Sequence, residues 1–261
     1  MQKLPVEHGK TETVSVMAQG YNPYVAAWSP YHVAAYAVIE ATARLVAAGS
    51  DWSKARFSYQ EYFERMDKQA ERFGQPVSAL LGSIEAQIQL GLPSIGGKDS
   101  MSGTFEELTV PPTLVAFGVT TSTAGRILSP EFKAAGESIY YLPGQVLSQD
   151  INFDLIKSNF ENFADIQAKY EITAAAAVKY GGLAESLALM SFGNRIGAQV
   201  DVAALPSVLQ AQLGGFVFTS PEQDIPGAVK IGQTKPDFTM IVNGVQLEGS
   251  ELLASFEGRL E

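Results

Sequence analysis

The chain has 261 residues, of which 46% are hydrophobic and 10% aromatic, and this is enough for one large core or two modest ones. Eighteen Lys and Arg against 28 Asp and Glu give a net charge of −10, which excludes the surplus of cations that wrapping, sequence-independent nucleic-acid binding needs. Because there is no cysteine, disulfides, thiolate metal sites and a cysteine nucleophile are excluded as well.

The sequence shows neither a targeting signal nor a membrane span. The first residues, MQKLPVEHGKTETV, contain no basic amphipathic stretch and no apolar signal-peptide core. The longest apolar stretch, 33–49, is interrupted by Glu40 and Arg44 and is shorter than the ~20 residues that a bilayer requires. We therefore expect a soluble, cytoplasmic protein with no membrane and no nucleic acid among its partners.

Strands and helices alternate along the first half. Period-two alternation predicts a strand over 11–17, and Ser29 followed by Pro30 predicts a helix that runs until Gly49. A second helix is predicted over 77–90, preceded by a short helix and loop within 61–74. From 92 the pattern changes to strand, a glycine and serine loop over 96–103, and a strand over 113–121.

The second half repeats this alternation after a small, polar segment at 122–129, which is the predicted domain boundary. Its predicted elements are strands at 138–142, 216–219 and 229–233, helices at 154–170, after Gly181-Gly182 and from Ser250, and a hairpin turned by Asn243-Gly244. We predict an α+β or α/β layered architecture with two subdomains, 1–125 and 126–261.

The segment GGKDSMSG at 96–103 is the most informative motif. Its glycines allow a close approach of backbone to ligand, and Lys98, Asp99, Ser100 and Ser102 supply a cation, an acceptor and hydroxyls that suit a phosphate or metal-phosphate group. It is not a Walker loop, because the required first Gly and the Ser or Thr after Lys are missing. The alternative is an ordinary solvated β-loop.

Three other features admit a structural and a functional interpretation. Gly181 and Gly182 precede a helix whose free amides could hold an anion, although such a pair is more often a packing or turn feature. Glu40 and Arg44 are spaced as an ordinary i,i+4 pair. The aromatic stretch 57–63 could stack on bases, but without basic neighbours a core or interface role is favoured.

The two histidines, His8 and His32, have no Ser or Asp partner recognisable in the sequence. His8 falls in a stretch expected to fray, and His32 falls in the first turn of a helix, where a packing or capping role serves as well as a chemical one. A self-contained hydrolase triad is therefore not expected.

Four segments, taken in order, resemble a known family. They are SPYHVAAYAVIEATARLVAAGSD, FSYQEYFER, LGLPSIGGKDSMSGTFEELTVPPTLVAFGVTT and YGGLAESLALMSFGN. The chain is similar in these segments to the second synthetase half of the phosphoribosylformylglycinamidine synthase family, within the superfamily of aminoimidazole ribonucleotide synthetase. The resemblance implies a barrel-forming N-terminal subdomain followed by a C-terminal α/β subdomain.

The resemblance also implies an activity for the full enzyme. Such an enzyme is an ATP- and Mg-dependent C–N ligase of purine biosynthesis, which converts formylglycinamide ribonucleotide to formylglycinamidine ribonucleotide with ammonia from glutamine. The glutaminase domain, which uses a Cys, and the first synthetase half are the implied partners, and neither is in this chain. We expect a fragment, cut at its start, with no catalytic residue, no activity alone and no tightly held cofactor, which forms a homodimer through its barrel surface.

The resemblance separates two groups of site residues. The residues Gly97, Lys98, Asp99, Ser100 and Ser102 keep the family pattern and are predicted to bind the substrate or its phosphate. A second, pseudo-symmetric nucleotide site is predicted to be degenerate and empty, because Arg44 and Lys179 replace oxygen-bearing residues of the family motifs and magnesium needs a near-ideal oxygen shell. The residues of that degenerate site are Glu40, Arg44, Lys179, Gly181 and Gly182, and no metal is expected there.

Overall fold

A computed structural model describes residues 1–202 and 208–258. The chain divides into two compact units. The first contains Met1–Val46 and Ser50–Ile127, and the second contains Ala47–Gly49 and the chain from Leu128 onward. Each unit has its own sheet and helices, so the mixed α/β architecture predicted from the sequence is confirmed.

The first unit is built on a five-stranded sheet with the strand order β1-β2-β7-β3-β4. All neighbouring strands in it are antiparallel except β3 and β4, which are parallel and are connected through a helix. Its elements are β1 (Gln2–Lys3), β2 (Thr13–Gly20), α1 (Pro23–Trp28), α2 (Pro30–Ala47), β3 (Arg56–Tyr62), α3 (Ala70–Leu90), β4 (Ser94–Ser100), β5 (Thr104–Phe105), β6 (Leu108–Thr109) and β7 (Thr113–Thr123).

Two sequence predictions for this unit are wrong. The first part of the GGKDSMSG segment is not a loop, because its residues up to Ser100 belong to β4. Pairing with β3 holds this glycine-rich stretch in an extended conformation. The 61–74 segment is not a short helix and loop, because its start ends strand β3 and its last residues begin α3. Helix α3 continues through Pro76 and reaches the Gly91 stop that the sequence predicted.

Helix α2 forms the centre of the first unit, and nearly all of its residues are buried. It lies so close to the sheet that a Cβ on Gly20 would stand 2.1 Å from the Ala37 carbonyl oxygen. It lies equally close to α3, because a Cβ on Gly82 would stand 2.0 Å from the Tyr31 carbonyl oxygen. Glycine at these two positions is what allows α2 to pack between the sheet and α3.

Two apolar surfaces of the first unit are left uncovered within the unit. The sheet face opposite α2 carries Met17 and Val119, which are register partners and are 67% and 37% exposed. The apolar stripe that predicted α3 also faces outward, while small residues form the buried side of this helix. The exposed stripe consists of Val77, Leu80, Leu81, Ile84 and Ile88.

The second unit is built on a seven-stranded sheet with the order β10-β13-β8-β14-β11-β15-β16. Only β11 and β15 are parallel among its neighbouring strands. Its elements are β8 (Ser138–Leu142), β9 (Gln145–Val146), α4 (Phe153–Lys169), β10 (Ala174–Val178), α5 (Gly182–Phe192), β11 (Gly197–Val200), β12 (Gln212–Leu213), β13 (Gly215–Ser220), β14 (Val229–Lys235), β15 (Thr239–Val242), β16 (Val245–Glu248) and α6 (Gly249–Glu257).

The core of the second unit lies between the sheet and its helices. Aromatic side chains of α4 pack on β13, with the rings of Phe163 and Phe216 stacked at 4.5 Å between centroids. A second cluster joins α5 to β10 and β11 around Leu187 and Met190, which are fully buried. The predicted helices of this half correspond to α4, α5 and α6, and the predicted strands correspond to β8, β13 and β14, so these predictions are confirmed.

The Asn243-Gly244 hairpin predicted from the sequence is present between β15 and β16. Both residues have positive φ angles, 51° and 81°, as a two-residue turn of this type requires. The Asn243 side chain also accepts a hydrogen bond from the Val202 amide at 2.7 Å, which fixes the turn. Among the helices of the described chain, none is long and apolar enough to cross a bilayer.

Candidate functional site

The edge strand β4 brings together most of the residues predicted to bind phosphate. Gly97, Lys98, Asp99 and Ser100 follow one another on it, and Ser102 lies two residues past its end. Successive side chains of a strand point to opposite faces, so Lys98 and Ser100 share one face and Asp99 points to the other. The structure therefore divides the predicted set between two faces of the sheet.

The Lys98 face is the outer face of the sheet, on the side away from α2. Lys98 pairs in register with Gln60 of β3, whose amide Nε2 donates to the Lys98 carbonyl oxygen at 3.1 Å. The Lys98 side chain is exposed, and the described residues form no ion pair or hydrogen bond with its ammonium group. A free cation, a nearby Ser hydroxyl and the unpaired amides of an edge strand are suitable donors for a phosphate.

The opposite face contains a carboxyl pair that the sequence analysis missed. Glu61 on β3 is only 6% exposed and is the register partner of Asp99 on β4. Burial and, to a smaller extent, the Asp99 carboxylate raise the pKa of Glu61 to about 7. Glu61 and Asp99 are separated by a whole helix in the chain, so no local motif could have indicated this pair.

Glu40 and Arg44, two residues of the predicted degenerate nucleotide site, form a close ion pair on α2. Arg44 Nη2 lies 2.6 Å from Glu40 Oε1, and the Glu40 side chain is 3% exposed. The amide of Tyr21 donates to the other carboxylate oxygen at 3.3 Å. The i,i+4 interpretation of this pair is confirmed, and both Glu40 oxygens have partners from the protein itself.

The other three residues of that site lie at the start of α5 in the second unit. The Gly181 amide donates to Glu185 Oε2 at 2.9 Å, and the Lys179 ammonium lies 3.9 Å from Glu185 Oε1. A carboxylate of the same helix therefore takes the place that an anion would occupy at the helix N-terminus. Gly182 has a φ of +66°, and a Cβ there would stand 2.5 Å from the Val208 carbonyl oxygen.

Within each unit, these residues are already engaged with charged groups of the protein itself. The Glu40 carboxylate is neutralised by Arg44, and Lys179 adds a second cation beside the occupied Gly181 amide. No group of three or more potential metal ligands occurs in the residues that the structure describes. The five residues belong to two units, and their use as one site, filled or empty, stays a prediction.

His32 and the aromatic stretch have structural roles. His8 is exposed, whereas His32 stacks on Trp28 at 4.5 Å between centroids and shares a hydrogen bond of 2.8 Å with the Ser29 hydroxyl. Phe57 and Phe63 of the aromatic stretch are fully buried, so its interpretation as core is confirmed.

The second unit contains a separate cavity of about 530 Å³ between β11, β14 and β15. Its polar side chains are those of Gln199, Asp201, Lys230, Gln233 and Asn243. None of the residues predicted from the sequence to bind a ligand lines this cavity.

Comparison with known proteins gives matches among solved structures only. No family model matches the sequence, and no curated protein matches it. Phosphoribosylformylglycinamidine synthase II from Thermotoga maritima matches with a TM-score of 0.78 and 13% identity, over 92% of this chain and 44% of its own. PurL of T. maritima complexed with AMPPCP matches with a TM-score of 0.77 and 12% identity over the same shares.

A kinase structure also matches, at a lower score. Thiamine monophosphate kinase from Aquifex aeolicus has a TM-score of 0.59 and 12% identity, over 90% of this chain and 88% of its own. This chain thus spans most of the kinase but less than half the length of the synthase structures. At these identities the likeness concerns the fold, and the chain has the fold that PurL and thiamine monophosphate kinase share, that of the aminoimidazole ribonucleotide synthetase-like proteins.

Proposed function

We propose that this chain is one synthetase half of an enzyme of the phosphoribosylformylglycinamidine synthase type, an ATP-dependent C–N ligase of purine biosynthesis in the cytoplasm. Its part is to bind the phosphate of formylglycinamide ribonucleotide. The observation that carries the proposal is the edge strand β4, which presents the free Lys98 ammonium and the Ser100 hydroxyl on one face. The likeness of the fold to a synthase structure over 92% of the chain supports it.

In a chain of net negative charge, phosphate binding depends on local cations such as Lys98. A net charge of −10 repels a phosphorylated substrate from most of the surface, so binding requires a local cluster of donors. Lys98 supplies such a cation, and Asp99, the carboxylate next to it in the chain, points to the opposite face. Asp99 accordingly takes no part in phosphate binding in this proposal.

Calorimetry with formylglycinamide ribonucleotide tests the phosphate site. We expect Lys98→Ala to weaken binding about tenfold or more, because a charge-assisted contact is lost. Lys157→Ala is the matched control, since Lys157 is an exposed lysine of α4 in the second unit. Equal binding by the wild-type chain and Lys98→Ala would contradict the proposal.

The proposed partners are a first synthetase half and a glutaminase domain. The sheet face with Met17 and Val119 is where we propose that a second synthetase half packs, and a second copy of this chain takes that place when it is alone. Sedimentation should show a dimer that Met17→Glu converts to monomer, whereas Leu209→Glu, at an exposed leucine of the second unit, leaves the dimer intact. A monomeric wild-type chain at micromolar concentration would contradict this part.

The isolated chain is proposed to be inactive. ATP and Mg belong to the full enzyme, and the two carboxylates of the β3–β4 pair, Glu61 and Asp99, lie on the face opposite Lys98. An assay of ATP-dependent amidine formation with free ammonia should show no turnover by the chain alone. Turnover by the purified chain would show that its site is complete.

A second candidate is a non-catalytic nucleotide-binding or scaffold module of the same assembly. Its support is the Glu185 carboxylate at the Gly181 amide and the Arg44 pairing of Glu40, which leave a scaffold role for this part of the fold. Calorimetry with Mg-ADP separates the two forms of this candidate. We expect no micromolar binding, and binding at that level would favour the nucleotide-holding form.

A further inference from the structure

A cavity of about 460 Å³ lies in the first unit between α3 and the β3–β4 edge of the sheet. It opens on the inner face, so the side chains of Glu61 and Asp99 belong to it while Lys98 reaches it through its backbone. The proposed phosphate site lies on the opposite face. The cavity is therefore a distinct feature of the same two strands.

Tyr59 supplies the first indication that the cavity takes a ligand. Its side chain lines the cavity, the residue is only 6% exposed, and its hydroxyl oxygen has no hydrogen-bond partner within the described residues. Buried hydroxyls are nearly always hydrogen-bonded, because leaving one unpaired is unfavourable. A ligand with a hydrogen-bonding group in the cavity would supply the missing partner.

The charge of the cavity indicates the sign of that ligand. Glu61 and Asp99 both face it, and the described residues form no ion pair or hydrogen bond with the Glu61 carboxyl group. Helix α3 contributes no charged side chain to the lining, and β7 places Leu114 beside Glu61. Lys98 is the remaining charged residue of the lining, and its ammonium is on the outer face.

The remaining walls indicate the size and polarity of the ligand. Pro76, Leu80 and Ile84 of α3, together with Met101 just past β4, supply the apolar lining. The neutral polar groups there are engaged, since the Gln87 side chain bonds both the Ser83 carbonyl and the Ser94 amide. An ammonium group on an apolar body matches both the carboxylates and the apolar lining, whereas a hydrated magnesium ion would leave the apolar lining without contacts.

We propose that this cavity binds a small organic cation, a primary ammonium group carried on an apolar body of a few carbons. The ammonium donates hydrogen bonds to the Glu61 and Asp99 carboxylates and to the Tyr59 hydroxyl oxygen. The body packs against Leu80 and Ile84. This site does not depend on the proposed function, because it uses the inner face of the sheet and none of the phosphate donors.

Benzylammonium is a suitable probe, and benzyl alcohol is its neutral control. Binding is measured by calorimetry and by amide chemical shifts of Gly96 and Gly97 in phosphate buffer, since common amine buffers would compete. We expect benzylammonium to bind and benzyl alcohol to bind at least tenfold more weakly. Because Glu61 must be ionised and its pKa is about 7, affinity at pH 6 should be about tenfold lower than at pH 8.

Variants assign the contact to the named groups. Glu61→Gln should reduce affinity at pH 8 at least tenfold and remove the pH dependence, and Tyr59→Phe should reduce affinity several-fold with the pH dependence kept. Glu161→Gln, at an exposed glutamate of α4, should bind benzylammonium as the wild type does. An amide spectrum with the same dispersion as that of the wild type would show that Glu61→Gln is folded.

Three results would overturn the proposal. They are equal binding of benzyl alcohol and benzylammonium, unchanged affinity in folded Glu61→Gln, and no binding with unchanged Gly96 and Gly97 shifts in the wild type. If Glu61→Gln does not fold, the alcohol control and the pH dependence of the wild type decide. The phosphate proposal fails on a different result, namely equal affinity of the wild type and Lys98→Ala for formylglycinamide ribonucleotide. The two failures are therefore distinguishable.

Discussion

Glu61 of β3 and Asp99 of β4 lie side by side as register partners in the parallel pair of strands of the first sheet. Glu61 is buried and has lost the solvation that would stabilise its ionised form, whereas Asp99 is exposed. Burial and the neighbouring carboxylate together raise the pKa of Glu61 to about 7. This pair makes the stability of the ligand-free chain depend on pH near neutrality.

Glu61→Gln should stabilise the protein at pH 8 and have little effect at pH 5. The folded chain keeps a proton on Glu61 up to about pH 7, whereas the unfolded chain releases it near pH 4.3, so stability falls as pH rises between these values. We expect a gain of about 1–3 kcal/mol at pH 8, measured by urea unfolding. Glu161→Gln, at an exposed site, should show no such pH dependence, and a constant difference for Glu61→Gln would contradict the assignment.

Arg44→Ala should destabilise the protein far more than an ordinary helix ion pair. It leaves the Glu40 carboxylate, which is 3% exposed, with the Tyr21 amide and without its cation. We expect a loss of about 2–3 kcal/mol, partly restored by the double variant Glu40→Gln/Arg44→Ala. Lys169→Ala breaks the i,i+4 pair with Asp165, whose side chains are 65% and 72% exposed, and should cost under about 0.5 kcal/mol. Equal losses for both variants would show that burial of Glu40 has no effect.

Gly182→Ala should destabilise the second unit by about 2 kcal/mol or more. The φ of +66° strains any residue with a Cβ, and this Cβ would also meet the Val208 and Gln210 carbonyl oxygens. Thermal unfolding measures the effect. Gly74→Ala is the control, because Gly74 lies within α3 with nothing near its Cβ position, and it should stabilise the protein by about 0.5–1 kcal/mol. A neutral Gly182→Ala would mean that this turn adjusts freely.

Asn159→Ala should destabilise the second unit by about 2–3 kcal/mol. The buried Asn159 amide donates to the Pro143 and Gly214 carbonyl oxygens at 2.8 and 3.0 Å, and its removal leaves both without that donor. Asn162→Ala, on the same helix, removes one exposed hydrogen bond to the Gly227 carbonyl oxygen and should cost less than about 1 kcal/mol. Urea unfolding compares the two, and similar values would contradict the burial argument.

Local signals predicted the elements that depend on local chemistry. Ser29 and Pro30 begin α2 where a cap and a first-turn proline suggest, and Asn243-Gly244 turns the hairpin because both residues tolerate positive φ. The apolar, β-branched and aromatic runs of β7 and β13 also form strands, as predicted. These predictions succeeded because the determinant lies within a few residues of the element.

Features that depend on distant contacts were missed. The two glycines within β4 have low strand propensity, and the strand forms because it pairs with β3. Helix α3 separates β3 from β4 in the sequence. The Glu61–Asp99 pair and the Glu185 contact with Gly181 likewise follow from tertiary register and helix geometry. Of the candidate site, the sequence indicated the β4 residues as a group but could not indicate that they point to two faces.

Among the described strands, β4 pairs with β3 alone. Detaching it breaks fewer hydrogen bonds than detaching β3 or β7, each of which has two neighbours, and two of its residues are glycines that regain much conformational freedom. Its amides should therefore exchange with deuterated solvent through local opening, well before the amides of β7. A molecule that occupies either face of β4 would slow this exchange, so the strand can report binding on both sides of the sheet.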